Sequence, residues 1–430
     1  MRRSVLLGLS ILCIRDMYFF LSAYFSYPVL TNLEIHTRTS MEFPAVTLCN
    51  LNRMHNMFYK CIQKQETWEQ CIVMMRSIVT SERKIQALCL KKPTAREKKL
   101  CLRRLDFFQL YTGRSPEFRQ KIGYKFNHVI LHCLFKGNPC GVDNFTFHQS
   151  LQYGNCYSFN YMNDNIKIPQ EVDGVGPNNA LELVLDARES TYLGITPSVG
   201  MRVIIHNVYE KPNPVENGIN ISPGFETRMS LSKMSIQRLP PPYKDRCFDY
   251  NSRNREISSR SRYDCVRSCV QKKSLSKCGC TDPFLGYDSS NRSCHLRNEV
   301  EMQCLDDILV EMGQVSPPCE CPLPCFVNLY KNDISRINYK HMKEDGLAKL
   351  ISDTFNLKKK STLLPLYRRN ATLKIFYRTL DHKVFTQYPA LRGTEVYGSL
   401  GAILSLWLDF SLFSIIQHIQ IILVTLRLMK

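Results

Sequence analysis

The residue in the most unusual setting for chemistry is Asp409, a carboxylate inside a long apolar segment. The run from Leu400 to Leu428 is long enough to cross a bilayer, and Asp409 is its one acidic residue. An ionisable group in a bilayer costs on the order of 3 kcal/mol unless it faces protein or water. Small residues accompany it: Gly398, Ser399, Gly401, Ser405, Ser411 and Ser414. The pattern predicts a helix that lines a polar pathway, with a plain membrane anchor as the alternative.

Other kinds of chemistry find no support in the sequence. It contains no phosphate-binding glycine loop, no metalloprotease motif and no catalytic triad pattern, so we predict that the protein is not an enzyme. The pairs Cys278-Gly-Cys280 and Cys319-Glu-Cys321 fit zinc spacing poorly, so we predict no bound metal and no cofactor. The formal net charge is +19, but the basic residues form no aromatic-flanked stripe, which argues against a nucleic-acid partner.

A second apolar segment lies at the other end of the chain, at residues 5–25. The adjacent charges of Arg15 and Asp16 interrupt it and partly compensate one another. A basic start followed by apolar residues also fits a cleaved signal peptide. The apolar character resumes at Met17, however, and no clear small-residue cleavage site follows. We therefore predict a first membrane helix at 5–25 and a second, pore-lining membrane helix at 400–426.

Basic residues at both ends set the predicted orientation. Arg2 and Arg3 precede the first span, and Arg427 and Lys430 end the second. Positive residues prefer the cytoplasmic side of a membrane, so both termini are expected inside the cell and residues 26–399 outside. The protein is then expected to be a multi-pass protein of the plasma membrane, in contact with lipid.

The cysteine content of the middle segment agrees with an extracellular location. Of 19 cysteines, 18 lie between Cys49 and Cys325, and only Cys13 falls in the first span. Dense, even cysteine usage is typical of disulfide-bonded proteins in an oxidising compartment. Four glycosylation acceptor sites fall in the same segment, at Asn144, Asn220, Asn291 and Asn370.

The segment between the spans has a mixed α/β pattern. Alternating apolar residues predict strands at 181–185, 201–205 and 372–377. Helical patterns carrying cysteines are present at 262–273 and 300–312. Strands on both flanks of the cysteine-rich block favour one compound ectodomain with insertions, and Pro240-Pro241-Pro242 predicts a rigid break within it.

Short motifs in order along the chain resemble one known family. Phe43-Pro-Ala-Val-Thr-Leu-Cys49-Asn-Leu-Asn52 follows the first span, and Gly154-Asn-Cys156-Tyr-Ser-Phe-Asn160 comes next. Ser222-Pro-Gly224, Leu239-Pro-Pro-Pro-Tyr243 and a ladder of ten cysteines follow. In this order they resemble the degenerin/epithelial sodium channel family, the amiloride-sensitive sodium channel superfamily that includes the acid-sensing channels. The resemblance extends from the first span to the second.

The resemblance implies a trimer of subunits, each with two membrane helices and a hand-like extracellular domain with palm, thumb and finger. It implies a sodium-preferring channel blocked by amiloride, built as a homotrimer or a heterotrimer with related subunits, and a thumb at about residues 244–330. The implied disulfides are Cys49–Cys156, Cys133–Cys140, Cys247–Cys325, Cys265–Cys321, Cys269–Cys319, Cys278–Cys304 and Cys280–Cys294. The pairing of four further cysteines, in a divergent finger region, stays open: Cys61, Cys71, Cys89 and Cys101.

The resemblance also assigns roles in the second apolar run. The family's Gly-x-Ser selectivity filter aligns with Asp409-Phe410-Ser411, so Asp409 replaces the filter glycine. Gly398 falls at the degenerin position, where bulky residues hold such channels open, and Ser405 falls at the amiloride-contact position. Three aspartates around a trimer axis would form a carboxylate ring that selects cations, and their repulsion favours protonation of one or more. In the alternative, Asp409 points away from the axis and bonds a neighbouring helix.

Two departures from the family bear on conduction. Gln417 and Gln420 replace the acidic residues expected below the filter, and the family's cytoplasmic His-Gly segment is not in the sequence. One expectation is a sodium-permeable cation pore with altered selectivity, which admits divalent ions or is blocked by them. The alternatives are an incomplete sequence, a regulatory or obligate heteromeric subunit, a cysteine-rich membrane receptor, and an ATP-gated trimeric channel, against which the motifs argue.

Several positions bear on how such a channel would be gated. Tyr27 and Tyr243 occupy the positions of an aromatic contact that couples the thumb to the first span in acid-sensing members, with ordinary packing as the alternative. Pro28 and Val29 stand where those members have two histidines, and an expected carboxylate pair is reduced to Glu210. Because proton sensors need titratable groups held close together, we do not expect proton gating. The alternatives that stay open are a peptide, a mechanical load, and no stimulus at all.

Overall fold

Helices form the two ends of the described chain, and strands dominate its middle. The computed structural model describes residues 2–59, 104, 106–162, 168–250, 261–285, 291–296, 298–314, 319–338 and 370–428. Four predicted finger cysteines lie outside these residues: Cys61, Cys71, Cys89 and Cys101. The helices are α1 (Arg2–Phe25), α2 (Pro116–Ile122), α3 (Phe126–Val129), α4 (Arg262–Cys278), α5 (Glu299–Met312), α6 (Gly393–Leu408) and α7 (Leu412–Leu428), and residues 106–112 are also helical. The strands are β1 (Val29–Thr37), β2 (Met41–Glu42), β3 (Ala45–Asn50), β4 (Ile130–Phe135), β5 (Asn138–Pro139), β6 (Phe145–Ser150), β7 (Gly154–Phe159), β8 (Glu171–Val172), β9 (Leu181–Asp186), β10 (Met201–His206), β11 (Gly218–Ile221), β12 (Phe225–Gln237), β13 (Phe326–Asn338), β14 (Asn370–Tyr377) and β15 (Asp381–Pro389).

A large sheet, called the palm sheet here, joins strands from both sides of the cysteine-rich block. Its order is β1-β15-β12-β14-β9-β4-β5, and β13 also pairs along β12. The strand β12 is antiparallel to β13 and parallel to β14 and β15. Alternation decides which face is buried: Leu183 and Ile375 are inaccessible, whereas Glu182 and Lys374 pair at 2.8 Å on the other face.

The elements predicted from periodicity are present, because alternation and helical spacing are local properties of the chain. They are β9, β10 and β14 at 181–185, 201–205 and 372–377, and α4 and α5 at 262–273 and 300–312. The helix α4 extends beyond its predicted end to Cys278, where Gly279 adopts a left-handed conformation that ends it.

A five-stranded sheet of order β11-β10-β3-β7-β6 shares one apolar core with the palm sheet. Every residue of β3 and β7 is buried. Phe43 lies where the sheets meet, and its ring contacts Phe135, Phe159 and Tyr377 edge-on at centroid distances of 5.2, 6.2 and 6.2 Å. Edge-on contacts suit the ring quadrupoles and stabilise this junction beyond the area that it buries.

The motif at 43–52 ends in a buried polar hub. Asn52 is inaccessible, and its Nδ2 donates to the Met54 carbonyl at 2.6 Å and to the Tyr124 hydroxyl at 2.8 Å. Its Oδ1 accepts from the Thr196 hydroxyl at 2.8 Å and the Leu193 amide at 3.3 Å. An asparagine can satisfy donors and acceptors at once, so this residue ties the end of β3 to the connection between β9 and β10.

The second motif begins with a glycine that a side chain would disrupt. Gly154 has φ +75°, and a Cβ there would collide with the carbonyl oxygen of Arg53. Two residues later, Cys156 lies opposite Cys49 in the β3–β7 ladder and bonds to it. Both motifs therefore position backbone in the core rather than present chemistry to solvent.

The helices α4 and α5 lie within the predicted thumb at about residues 244–330, and capping residues and disulfides hold them. The Ser261 hydroxyl accepts from the Asp264 amide at the start of α4, and the Asn298 side chain accepts from the Val300 amide at the start of α5. The structure contains each disulfide that the resemblance implies: Cys49–Cys156, Cys133–Cys140, Cys247–Cys325, Cys265–Cys321, Cys269–Cys319, Cys278–Cys304 and Cys280–Cys294.

Candidate functional site

The apolar run near the C-terminus is two helices separated by a three-residue break. The helix α6 ends at Leu408 and α7 begins at Leu412, which differs from the single helix expected over 400–426. Asp409 lies in the left-handed region, with φ 54° and ψ 32°. Its amide donates to the Ser405 carbonyl at 3.0 Å. A left-handed residue cannot continue a right-handed helix, so the chain turns here.

The backbone at the break explains why an aspartate can stand at position 409. Glycine adopts positive φ freely, and aspartate and asparagine tolerate it better than most other residues. Asp409 therefore adds a carboxylate while keeping a conformation that a glycine would adopt. The side chain is exposed on the single chain. Within the described residues it has no hydrogen-bond or ion-pair partner.

Ser411 begins α7 with a reciprocal cap. Its hydroxyl accepts from the Ser414 amide at 3.2 Å, and the Ser414 hydroxyl accepts from the Ser411 amide at 2.9 Å. This arrangement satisfies two amides that a helix start would leave unpaired. Phe410 lies between the two helix ends and is 50% exposed. The filter-like tripeptide is thus a defined link between helices.

The other predicted pore residues lie on exposed faces of the two helices. Gly398 and Ser405 are exposed on α6 and are two turns apart, which places them on one face. Gln417 and Gln420 are exposed on α7, three residues apart on one face. A Cβ at Gly398 would meet nothing within 4 Å in this chain. Among the described residues there is therefore room for at least a methyl group at this position.

A contact between α1 and α6 adds a residue that the sequence pattern did not indicate. The Trp407 indole Nε1 donates to Asp16 Oδ2 at 3.0 Å, and Arg15 Nε donates to Asp16 Oδ1 at 3.0 Å. The Asp16 carboxylate thus accepts hydrogen bonds from the neighbouring Arg15 and from Trp407 on α6 at the same time. Trp407 precedes Asp409 by two residues, so the contact fixes the last turn of α6 just before the break.

A two-stranded ladder connects the end of α1 to the start of α6. The strand β1 follows α1, β15 precedes α6, and the two are antiparallel from the Val29–Pro389 pair to the Thr37–Asp381 pair. One further hydrogen bond, from the Ala390 amide to the Pro28 carbonyl at 2.9 Å, extends the ladder towards the helices. Movement of this ladder would therefore move α1 and α6 together.

Tyr27 and Tyr243 are in contact at the base of the thumb. Their ring centroids are 5.7 Å apart with an interplanar angle of 79°, a geometry worth about 0.5–1.5 kcal/mol beyond burial. Nearby, Gln387 of β15 donates to the Asp245 carboxylate at 2.6 Å and accepts from the Leu239 amide at 3.0 Å. The thumb base is therefore attached both to the end of α1 and to the strand that leads into α6.

The carboxylate at Glu210 has a neighbour that the linear sequence did not reveal. Burial raises the pKa of Glu210, and the nearby charge of Asp264 on α4 raises it further. Asp264 lies 54 residues further along the chain. On the exposed face of the β1–β15 ladder, the side chains of Glu34 and His36 are 3.3 Å apart. The two histidine positions of acid-sensing members are Pro28 and Val29 in this chain.

The glycosylation acceptors differ in accessibility. Asn144 and Asn220 are exposed, whereas Asn291 and Asn370 are half-buried. The side-chain Oδ1 of Asn220 accepts from Arg202 Nη1 at 3.0 Å, an interaction that leaves the side-chain Nδ2 available. Modification stays a prediction at all four positions and is sterically simplest at the two exposed ones.

Length and hydropathy identify one candidate membrane span among the described residues, Leu7–Phe25. The break divides the second apolar run into helices of 16 and 17 residues, each shorter than the roughly 20 residues that a span requires. Free Cys13 lies in the first helix and is only 2% exposed. Orientation relative to a membrane stays a prediction.

Comparison with known proteins places these features in one family. The sequence model of the amiloride-sensitive sodium channel family matches residues 4–421. Degenerin unc-8 of Caenorhabditis elegans is 27% identical over 73% of this chain. The epithelial sodium channel subunit alpha of Xenopus laevis is 25% identical over 93% of this chain and 73% of its own length. Acid-sensing ion channel 2 of Rattus norvegicus is 26% identical over 92% of this chain and 75% of its own length.

The relatives differ in how much of their own length is matched. The chain spans 41% of degenerin unc-8 and 36% of the degenerin-like protein unc-105 of Caenorhabditis elegans. A solved proton-activated chloride channel aligns over 97% of this chain and 96% of its own, with 7% identity and a TM-score of 0.34, too low to show a shared fold. The family match over residues 4–421 shows that the chain belongs to the amiloride-sensitive sodium channel family.

Proposed function

We propose that this chain is one subunit of a trimeric, amiloride-sensitive, sodium-preferring cation channel of the plasma membrane, gated by an extracellular stimulus. The left-handed break at Asp409, between α6 and α7, carries the proposal. Irregular backbone at membrane depth is tolerated where it is buried in protein or lines water, and the ends of interrupted helices suit ion sites. The permeant ion is sodium, and the activity needs no cofactor.

The exposed carboxylate supports a cation pathway. Three copies of Asp409 around a trimer axis would form a ring of negative charge, a known means of selecting cations. Gly398 and Ser405 lie on one face of α6, as a lining at the gate and at an amiloride contact requires. The same ring attracts divalent ions more strongly than sodium, so we propose that calcium enters or blocks this pore.

The connections around the thumb support gating from outside the cell. The Tyr27–Tyr243 contact and the β1–β15 ladder join the thumb base to both helices that lead into the membrane. A stimulus that moves the thumb at 244–330 would thereby act on the break. In this proposal both termini are cytoplasmic, residues 26–399 are extracellular, and the partners are identical or related subunits.

A second candidate function is a subunit that regulates or completes a channel without conducting alone. Gln417 and Gln420 favour it, because they give α7 a polar face without the fixed negative charge that would hold cations below the break. Such a subunit would modify the current of a related channel while passing none as a homotrimer.

An ion-substitution voltage clamp on cells expressing the chain alone tests the first candidate, with surface labelling to verify delivery. We expect an inward sodium current that amiloride blocks and that disappears when sodium is replaced by a large organic cation. The variant Gly398→Phe tests conduction without the unknown gating stimulus, since a bulky side chain there should hold the pore open. Surface expression without current in either form would refute the first candidate, and altered current on co-expression with a related subunit would establish the second.

A further inference from the structure

A cavity of about 240 Å³ lies where three parts of the ectodomain meet, far along the chain from the broken helix. One wall comes from the helical residues 106–112 and from α2, and a second comes from the five-stranded sheet. The third comes from α4 and the segment that follows it, and the connection between β10 and β11 closes one side. We call it the thumb–finger cavity. Its volume is large enough for a small organic molecule.

The charge of the cavity lining has one sign. Among the described residues that line it, Arg119, Lys211 and Arg267 are cationic, and none carries a carboxylate. Arg119 is 2% exposed and donates to the Thr112 carbonyl at 3.0 Å, which fixes its guanidinium in the wall. A concave site with low-dielectric walls concentrates the field of such charges. The lining therefore favours an anion.

Two of these cations have no partner of opposite charge among the described residues. Neither Lys211 nor Arg267 has a carboxylate within the 4.0 Å that defines an ion pair, judged over the residues that the structure describes. Other basic residues of the same thumb helix do: Lys277 and Lys273 reach Glu311 at 2.7 and 3.9 Å. Lys211 and Arg267 come from different parts of the chain, and both line this cavity.

A neutral histidine in the wall is consistent with this positive field. His148 lines the cavity, and its pKa is lowered to about 4, first by burial and then by the charge of Lys211. The residue is therefore uncharged at neutral pH. The same field that opposes a proton on His148 attracts a negative group.

Aromatic side chains form the rest of the lining. Phe108 and Phe284 are stacked with centroids 4.6 Å apart and an interplanar angle of 15°. Their contact joins the helical residues 106–112 to the segment that follows α4. Tyr263 of α4 also lines the cavity. Apolar walls with a few convergent polar groups are typical of sites for small organic ligands. Phe284 is 49% exposed and is therefore accessible to a ligand ring in the cavity.

We propose that the thumb–finger cavity binds an aromatic carboxylate, with the carboxylate at Lys211 and Arg267 and the ring beside Phe108 and Phe284. Charge-assisted hydrogen bonds from two cations hold the carboxylate. The ligand is a free aromatic acid or the C-terminus of a peptide, since both offer the same chemistry. Binding ties the thumb to the finger side and the five-stranded sheet. A resulting effect on gating rests on the proposed channel function, whereas the binding does not.

Calorimetric titration of the purified full chain in detergent micelles tests the proposal without any current. The probes are phenyllactate as a free acid, N-acetylphenylalanine as a peptide C-terminus, and N-acetylphenylalaninamide as the uncharged match. We expect at least one acid to bind. We expect the amide to bind more weakly by a factor of about ten or more. The tighter of the two acids identifies the source of the ligand. Absence of saturable binding by both acids, or equal binding of amide and acid, would overturn the proposal.

Charge-removing variants locate the site. Lys211→Gln and Arg267→Gln should each weaken binding of the better acid about tenfold. The matched control is Lys272→Gln, which removes one exposed positive charge from α4 outside the cavity and should leave binding unchanged. Melting temperatures close to that of the parent chain verify folding. Equal losses in the control and in the two cavity variants would show a nonspecific charge effect and contradict the assignment.

Discussion

At the scale of single residues, Asp409 combines a backbone role with a charge role, and substitution can separate them. Its φ of 54° suits glycine without strain, so Asp409→Gly should keep the break and remove only the carboxylate ring. We expect calcium permeation or block to weaken and the sodium-to-potassium permeability ratio to change. Reversal potentials under bi-ionic conditions measure both. Unchanged selectivity and unchanged calcium sensitivity would show that the carboxylate does not face the ions.

The control for Asp409 is the neutral side chain of similar shape. Asparagine also tolerates the left-handed region, so Asp409→Asn should reproduce the selectivity of Asp409→Gly. A β-branched residue does not tolerate that region, so Asp409→Val should impair surface assembly or open probability instead. A selectivity change in the valine variant alone would assign the effect to backbone geometry rather than to charge.

Asn52 is a residue whose contribution is to stability rather than to the pore. Replacing it by alanine would remove the partners of the Thr196 hydroxyl and the Leu193 amide in an inaccessible site. Leaving buried polar groups unpaired costs about 1–3 kcal/mol each, so Asn52→Ala should lower the free energy of unfolding by about 3 kcal/mol. Thermal or denaturant unfolding of the full chain in detergent measures the loss. Asn56→Ala, at an exposed position, is the control and should change stability by less than about 0.5 kcal/mol.

At the scale of elements, the Asp16–Trp407 hydrogen bond is the specific link between α1 and α6. We expect Asp16→Ala and Trp407→Phe each to destabilise the full chain, and the double variant to be little worse than either alone. Contacting pairs couple by about 0.5–3 kcal/mol. Melting temperatures of the four proteins in one detergent complete the double-mutant cycle. Strict additivity would mean that the two side chains do not interact in the assembled protein.

The charge of Asp16 can be separated from its hydrogen bond in the same experiment. Asp16→Asn keeps an acceptor for the Trp407 indole but weakens the interaction with Arg15, whose Nη2 lies 2.9 Å from Asp16 Oδ1. If the indole contact dominates, the asparagine variant should resemble the parent chain. A loss as large as that of Asp16→Ala would assign the stability to the Arg15 pair instead.

At the scale of the whole molecule, buried neutral histidines make the ectodomain sensitive to acid. Burial lowers the pKa of His206 to about 4, and its Nε2 interacts with the Thr47 hydroxyl at 2.8 Å. In the unfolded chain the pKa is about 6.5, so the unfolded state binds more protons between these values. Stability is therefore full above about pH 6.5 and falls as the pH decreases towards 4, by on the order of 1 kcal/mol at pH 5.5.

The melting temperature of the full chain between pH 7.5 and pH 5 measures this effect. We expect it to fall, and to fall less in His206→Gln, which can still bond Thr47 but does not titrate. Identical pH profiles in the two proteins would exclude His206 as a source of the acid sensitivity. The acid response would then lie with other buried histidines, such as His148, whose pKa is also lowered to about 4.

Much of the fold follows from local sequence. Period-two alternation predicted β9, β10 and β14, because successive side chains in a strand point to opposite faces. The even cysteine count between Cys49 and Cys325 predicted a disulfide-bonded segment, and the motifs predicted the family. Asp409 was evident as a charge in an apolar run. Each of these signals is a property of neighbouring residues or of composition.

The tertiary structure decided what depends on backbone conformation and on distant contacts. Hydropathy cannot show that Asp409 adopts positive φ and divides the apolar run. One continuous helix and two helices separated by a break have the same amino-acid composition. The Asp16–Trp407 bond joins residues 391 positions apart, and Lys211 and Arg267, from separate parts of the chain, line the same cavity. Contacts between residues so distant in sequence depend on how the whole chain packs, so no local sequence pattern predicts them.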